Sequence, residues 1–204
     1  MQGDNSSIET FVNIRQSVSP VGGSRAKILV QYNYDTGAIR LNKHELHDGH
    51  KRAIIKFDEI YEGAGSIGLT KLEYIFMTMA KEVGIKTAEF ELIDEGEAKH
   101  LLVKRFDRDE KWSLSPAYDV TYSKGAMKSH TTTIAGKDLQ ITRADVLKIA
   151  KIQSIKPAVA TKIIDECIKV AKSFQEKAID VGLDDDTLKQ CKEDIESQIE
   201  LLKA

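Results

Sequence analysis

The chain has 204 residues, enough for one large domain or two small lobes with a real hydrophobic core. Its 30 Lys and Arg against 32 Asp and Glu give a formal net charge of -2, which excludes a general attractive field for nucleic acid or a membrane surface, so any DNA contact would need a local patch. The two cysteines, an N-terminus without a basic-then-apolar leader and the lack of any run approaching ~18 apolar residues lead us to expect a cytoplasmic protein, neither exported nor membrane-inserted.

In chain order, the first half is strand-rich. Alternation and turn residues predict strands over 26–32 and 38–41 around the Tyr34-Asp35-Thr36-Gly37 turn, then 52–57, 88–93 and 100–105, the last two flanking Asp94-Glu95-Gly96-Glu97. These read as antiparallel hairpins. One helix interrupts them, with Leu72, Ile75, Phe76, Met79, Ala80 and Val83 at helical spacing and Gly84 as its stop. Thr70-Lys71-Leu72-Glu73 has the pattern of a capping box at its start.

After Gly136 the pattern turns helical. Thr142-Arg143-Ala144-Asp145 is expected to open a helix ending near Ile152, and Pro157 suits a first helical turn. Ala160, Ile163, Ile164, Cys167, Ala171, Phe174 and Ala178 then line one apolar face, and a last helix over about 185–202 turns Leu188, Cys191, Ile195, Ile199 and Leu202 inward. The expected organisation is therefore α+β, with a sheet-rich, nucleotide-binding-like lobe over 1–108 and a shortened helical lobe over 109–204.

Three motifs invite chemistry and are set aside on physical grounds. Gly63-Ala64-Gly65-Ser66-Ile67-Gly68 fits G-x-G-x-x-G, but its flanks are antiparallel hairpins and no second helix–strand unit follows to complete a parallel sheet. His44, His47 and His50 recur every third residue, yet the Asp48-Gly49 turn is expected to point their rings apart in a solvated loop. Cys167 and Cys191 fall on apolar helix faces, with no histidine in a nucleophile motif beside them.

An ordered series of blocks carries a family resemblance. These are Val21-Gly22-Gly23-Ser24-Arg25-Ala26-Lys27, Ala53-Ile54-Ile55-Lys56-Phe57-Asp58, Leu72-Glu73-Tyr74, Val103 through Arg108, Ser115-Pro116-Ala117-Tyr118-Asp119, and Thr131 through Asp145. In that order they resemble the HipA family of serine/threonine kinases, the toxin half of bacterial toxin–antitoxin pairs. The resemblance implies a protein-kinase-like HipA fold, internally shortened, that binds ATP and Mg2+ and phosphorylates a protein.

Residue by residue, the resemblance implies that Gly22, Gly23, Ser24, Arg25 and Lys27 form a phosphate loop. There, glycine admits close backbone approach and cationic side chains meet anionic oxygen. Lys56 would address the nucleotide phosphates, Glu73 would pair with Lys56, and Asp119 would bind the metal. The bare residues also admit plainer roles: a strand-end lysine for Lys56, the capping box for Glu73, and a turn aspartate for Asp119. The family's regulatory autophosphorylation serine falls where this chain has Pro20, with Ser17 and Ser19 just upstream.

What the family needs for transfer is missing from its expected place. Only Asp109-Glu110-Lys111 separates Val103–Arg108 from the segment beginning at Trp112, and nothing there matches the Asp-x-x-x-Lys-Asn type catalytic loop. No catalytic residue is identified, and weak or absent kinase activity is expected. The alternative is a kinase-derived interaction module that engages a HipB-like antitoxin or a sister kinase, touches DNA only through that antitoxin, and forms a homodimer through its helical half.

Overall fold

A computed structural model of the chain describes residues 26–42, 45–58, 60–61, 65–66, 68–95, 98–107, 113–123 and 132–203. The chain separates into two compact units, residues 1–74 with 86–118 and residues 75–85 with 119–204.

The first unit is built on β1 (Lys27–Tyr32), β2 (Ile39–Leu41), β3 (Lys51–Lys56), β6 (Phe90–Glu95) and β7 (Ala98–Lys104). They form one antiparallel sheet in the order β2-β1-β3-β7-β6. The β1–β2 hairpin turns where expected: Asn33 Oδ1 accepts the backbone N–H groups of Asp35 and Thr36, and Gly37 takes φ +72°. Alternation along the strands sends Val30, Tyr32, Ala53, Ile55 and Leu102 into one apolar cluster together with Phe57. A short pair not anticipated from the sequence, β4 (Ile60–Tyr61) with β5 (Gly65–Ser66), is also antiparallel. Gly65 and Ser66 of the G-x-G-x-x-G run are thus strand residues paired antiparallel, where a dinucleotide fold would have its phosphate turn.

Helix α1 (Leu69–Glu82) begins one residue before Thr70, which removes Thr70 from the capping position. The Thr70 hydroxyl instead donates to the Lys99 carbonyl on β7 at 2.6 Å, tying the first helical turn to the sheet. The other end follows expectation. Gly84 takes φ +87°, its N–H reaches the Lys81 carbonyl and that of Ile85 the Ala80 carbonyl, closing a Schellman motif.

The second unit holds α2 (Arg143–Ile152), α3 (Pro157–Ala171), α4 (Phe174–Asp180) and α5 (Asp185–Lys203). Ile164, Ile168 and Ile199 form its centre, with Val146, Leu147, Ile195 and Leu202 packed around them. Two expectations need correction. The apolar face foreseen as continuous from Ala160 to Ala178 is broken between α3 and α4, where the Ser173 hydroxyl donates to the Val170 carbonyl. Ile163 lies on the outer side at 53% exposure, because α3 buries Ala160, Ile164 and Ile168 at strict i, i+4, i+8 spacing.

Helix α2 starts as Thr142–Asp145 predicts. The Thr142 backbone N–H and hydroxyl both donate to Asp145 Oδ2, at 2.9 and 2.7 Å, and Lys137 Nζ donates to the same oxygen at 2.8 Å. The Lys137 bond first, then those from Thr142, hold the Asp145 carboxyl well below the usual carboxylate range. A depressed folded-state pKa stabilises above the ordinary value of about 4 and is lost as pH falls through the folded value. Asp145→Asn should therefore be less stable than wild type at pH 7, with the gap closing on acidification. Urea unfolding from pH 7 to pH 2 checks this, and a gap constant with pH contradicts it.

Candidate functional site

Strand β3 carries the centre of the site. Ala53 and Ile55 point into the apolar cluster, so strict alternation turns Ile54 and Lys56 to the opposite face of the sheet. On that face Lys56, 9% exposed, meets Glu73 from the second turn of α1, 2% exposed. Lys56 Nζ donates to Glu73 Oε1 at 2.6 Å. With Thr70 committed to Lys99, the Glu73 carboxylate serves the lysine and not a capping box.

Register places Lys27, expected in the phosphate loop, directly beside this pair. Lys27 is the residue directly opposite Lys56 in the β1–β3 pairing, and opposed residues of an antiparallel pair project to the same side. Two like charges so placed repel unless anionic groups neutralise them. Glu73 offsets one of these two charges. Gly22, Gly23, Ser24 and Arg25, expected to complete the phosphate loop, lie outside the described residues, as do Ser17, Ser19 and Pro20.

The Ser115–Asp119 block is anchored by backbone pairing. The Ala88 N–H donates to the Ala117 carbonyl at 2.9 Å and the Ala117 N–H to the Lys86 carbonyl at 2.8 Å, a parallel bridge onto the approach to β6. Tyr118 stacks obliquely on Phe106, ring centroids 5.2 Å apart. The next residue, Asp119, is exposed and takes φ +56°, a left-handed conformation that Asp tolerates better than most residues. Such local strain accompanies functional positions. The Asp109–Lys111 junction lies outside the described residues.

A buried polar relay on β7 also escaped the sequence. His100, fully buried on β7, accepts the Asp58 backbone N–H at Nδ1 (3.0 Å), which leaves the proton on Nε2 to be donated to Glu95 Oε2 (2.7 Å). It holds the chain just after Lys56 in place. The only available signal was a histidine at an inward strand position.

The set-aside motifs resolve individually. His44 lies outside the described residues; the rings of His47 and His50 sit edge to face with centroids 5.0 Å apart, and not apart as expected, because His50 folds inward and both Nδ1 atoms address the Asp48 carbonyl. Among the described residues no three His, Cys, Asp or Glu side chains converge as a metal site. Cys191 is buried, Cys167 is half-buried, and burial pushes the Cys167 thiol pKa up, away from nucleophilic use. No helix among the described residues is long and apolar enough to cross a membrane. A cavity of about 1090 Å³ beside β1, β2 and residues 45–48 is lined by none of the expected nucleotide residues.

Comparison with known proteins adds two findings. Residues 19–111 match the model of the HipA-like C-terminal domain. Among solved structures, a chain of the Shewanella oneidensis MR-1 toxin–antitoxin complex of HipA, HipB and operator DNA superposes with a TM-score of 0.64. It covers 96% of this chain and 71% of its own length at 13% identity, so what the two share is the α+β fold. No curated protein matches the chain.

Proposed function

We propose that this chain, whose residues 19–111 match the HipA-like C-terminal domain, is a HipA-family, toxin-type, kinase-derived module that binds Mg-ATP and transfers phosphate to protein weakly or not at all. The observation that carries the proposal is the buried Lys56–Glu73 pair with Lys27 directly across the sheet. A lysine desolvated and held by a carboxylate is pre-oriented, so little rotamer entropy remains to be lost when a phosphate arrives. Lys27 and Lys56 would hold the phosphates. A strand end flanked by two cations fits an anion, and the pair's own carboxylate prevents charge repulsion without ligand.

Asp119 would hold the metal. As a single exposed carboxylate it suits Mg2+, which takes one or two protein carboxylates and completes its shell with water and phosphate oxygens. When bound, Mg2+ supplies charge neutralisation of the phosphates. No residue of the chain matches the family group that orients an attacking hydroxyl, which is why binding, and not efficient transfer, is the activity proposed.

The test is a thermal-shift titration with Mg-ATP. Ligand at ~100 times its dissociation constant should contribute about 2.7 kcal/mol of stability. The shift should be lost in Lys56→Met and reduced in Asp119→Asn; no shift in wild type at millimolar Mg-ATP overturns the proposal.

One observation favours a second role beside it. The solved complex that shares this fold contains HipB and operator DNA, so an antitoxin of the HipB kind is the partner to test, with DNA reached through it.

A further inference from the structure

We infer that the outer face of α3, with the groove beside it, is the contact surface for a second copy of this chain. The surface lies within the second unit and does not depend on the nucleotide proposal. Helix α3 buries Ala160, Ile164 and Ile168. Its outer side is also apolar: Val159 is 49% and Ile163 53% exposed, and Ile155, just before the helix, is 41% exposed. Val159 and Ile163, four residues apart on the helix, form one apolar ridge, which Ile155 precedes in the chain.

Beside the ridge runs a groove of about 640 Å³, walled by Val83 and Gly84 on one side and by Val159 and Ile163 on the other. Gly84 lies open there, with nothing within 4 Å of where a Cβ would stand. An apolar ridge and an apolar groove on one surface are the two halves of a ridge-into-groove contact.

The charges select the occupant. Lys162 and Glu166 line the same groove one turn apart. The third charge on its wall, Glu82, is already met by Lys177 at 2.6 Å. Lys162 and Glu166 cancel, so the rim offers little to a strongly acidic or strongly basic partner. A two-fold axis that pairs α3 with its copy in antiparallel sense brings Lys162 of each chain opposite Glu166 of the other, with Ile163 near the axis. One patch thereby satisfies itself twice, the requirement of an isologous dimer. A contact of this modest extent implies a concentration-dependent dimer, not an obligate one.

Sedimentation equilibrium of the full chain over a range of concentrations, with far-ultraviolet circular dichroism as a folding control, tests the inference. Wild type should show a monomer–dimer equilibrium. Lys162→Glu and Glu166→Lys should each weaken it about tenfold, since each variant turns two attractive contacts into repulsive ones. The double variant Lys162→Glu/Glu166→Lys should regain the wild-type constant. Ile163→Asp should be a folded monomer. A wild-type monomer at every concentration overturns the inference, as does a dimer indifferent to these changes or a double variant that fails to recover. Binding of a HipB-like protein to a monomeric chain through an Ile163-sensitive face would likewise assign the surface to a different occupant.

Discussion

Replacing Glu73 with Gln should destabilise the first unit by about 3–5 kcal/mol, the cost typical of removing one partner from a buried ion pair. The carboxylate is 2% exposed and the lysine facing it 9%, so neither charge can turn to solvent when the other is lost. Lys27, directly opposite Lys56 in the sheet, makes matters worse for the variant, because two neighbouring cations then lack the carboxylate between β3 and α1. Lys56→Met should cost less than Glu73→Gln, since Met fills the volume of the lysine stem while the carboxylate can be relieved by taking up a proton. The Lys56→Met/Glu73→Leu double variant should lose less than the sum of the single changes, because an apolar pair of similar volume avoids the desolvation cost altogether. Urea unfolding of the four proteins measures this directly. Additive losses would mean that the contact is incidental, and the pre-organised phosphate lysine would lose its physical basis.

Phe174→Ala should cost the second unit a similar amount, about 3–5 kcal/mol, through a different mechanism. Phe174 is 2% exposed and its ring lies 5.9 Å from that of Phe76, which comes from the C-terminal half of α1. Truncation leaves a cavity with rigid walls. Phe174 opens α4 directly after the break at Ser173, and nearby Ala178 and Leu183 are buried as well, so little side-chain volume is free to move in. Phe174→Leu should recover more than half of the loss. Native-state hydrogen exchange gives the site-resolved check: protection should fall across α3 to α5, while Phe174→Ala leaves the Lys56–Glu73 region near its wild-type protection. A loss under about 1 kcal/mol would show that the helices close over the gap.

Much of the scaffold was legible because it is written in short-range chemistry. Alternation in Lys27–Tyr32 and Lys51–Lys56, the Asn33-to-Gly37 turn, the Gly84 stop and the Thr142–Asp145 start each depend on residues within a turn of one another, and each appears within a residue or two of where it was expected. The misreadings have the opposite character. Thr70 fits a capping box locally, but a carbonyl 29 residues away on β7 takes its hydroxyl. Ile163 and Ile164 both fit a broad apolar stripe, and the packing of α2 and α5 against α3 decides that Ile164 faces inward. Nothing between Ala171 and Phe174 is Gly or Pro, so the break there carried no sequence flag.

By itself, then, the sequence determined the kinds of element, most of their ends, and the ordered blocks through which the chain is HipA-like. Those properties follow from local backbone preference and from residue identity along the chain. Tertiary structure alone decided that Lys27 stands across from Lys56, that Glu73 serves the lysine, that His100 is held in one tautomer between Asp58 and Glu95, and that α1 contributes its first turns to one unit and its last to the other. These depend on strand register and burial, in which residues up to 42 positions apart compete for the same partner. No local propensity encodes the outcome of that competition.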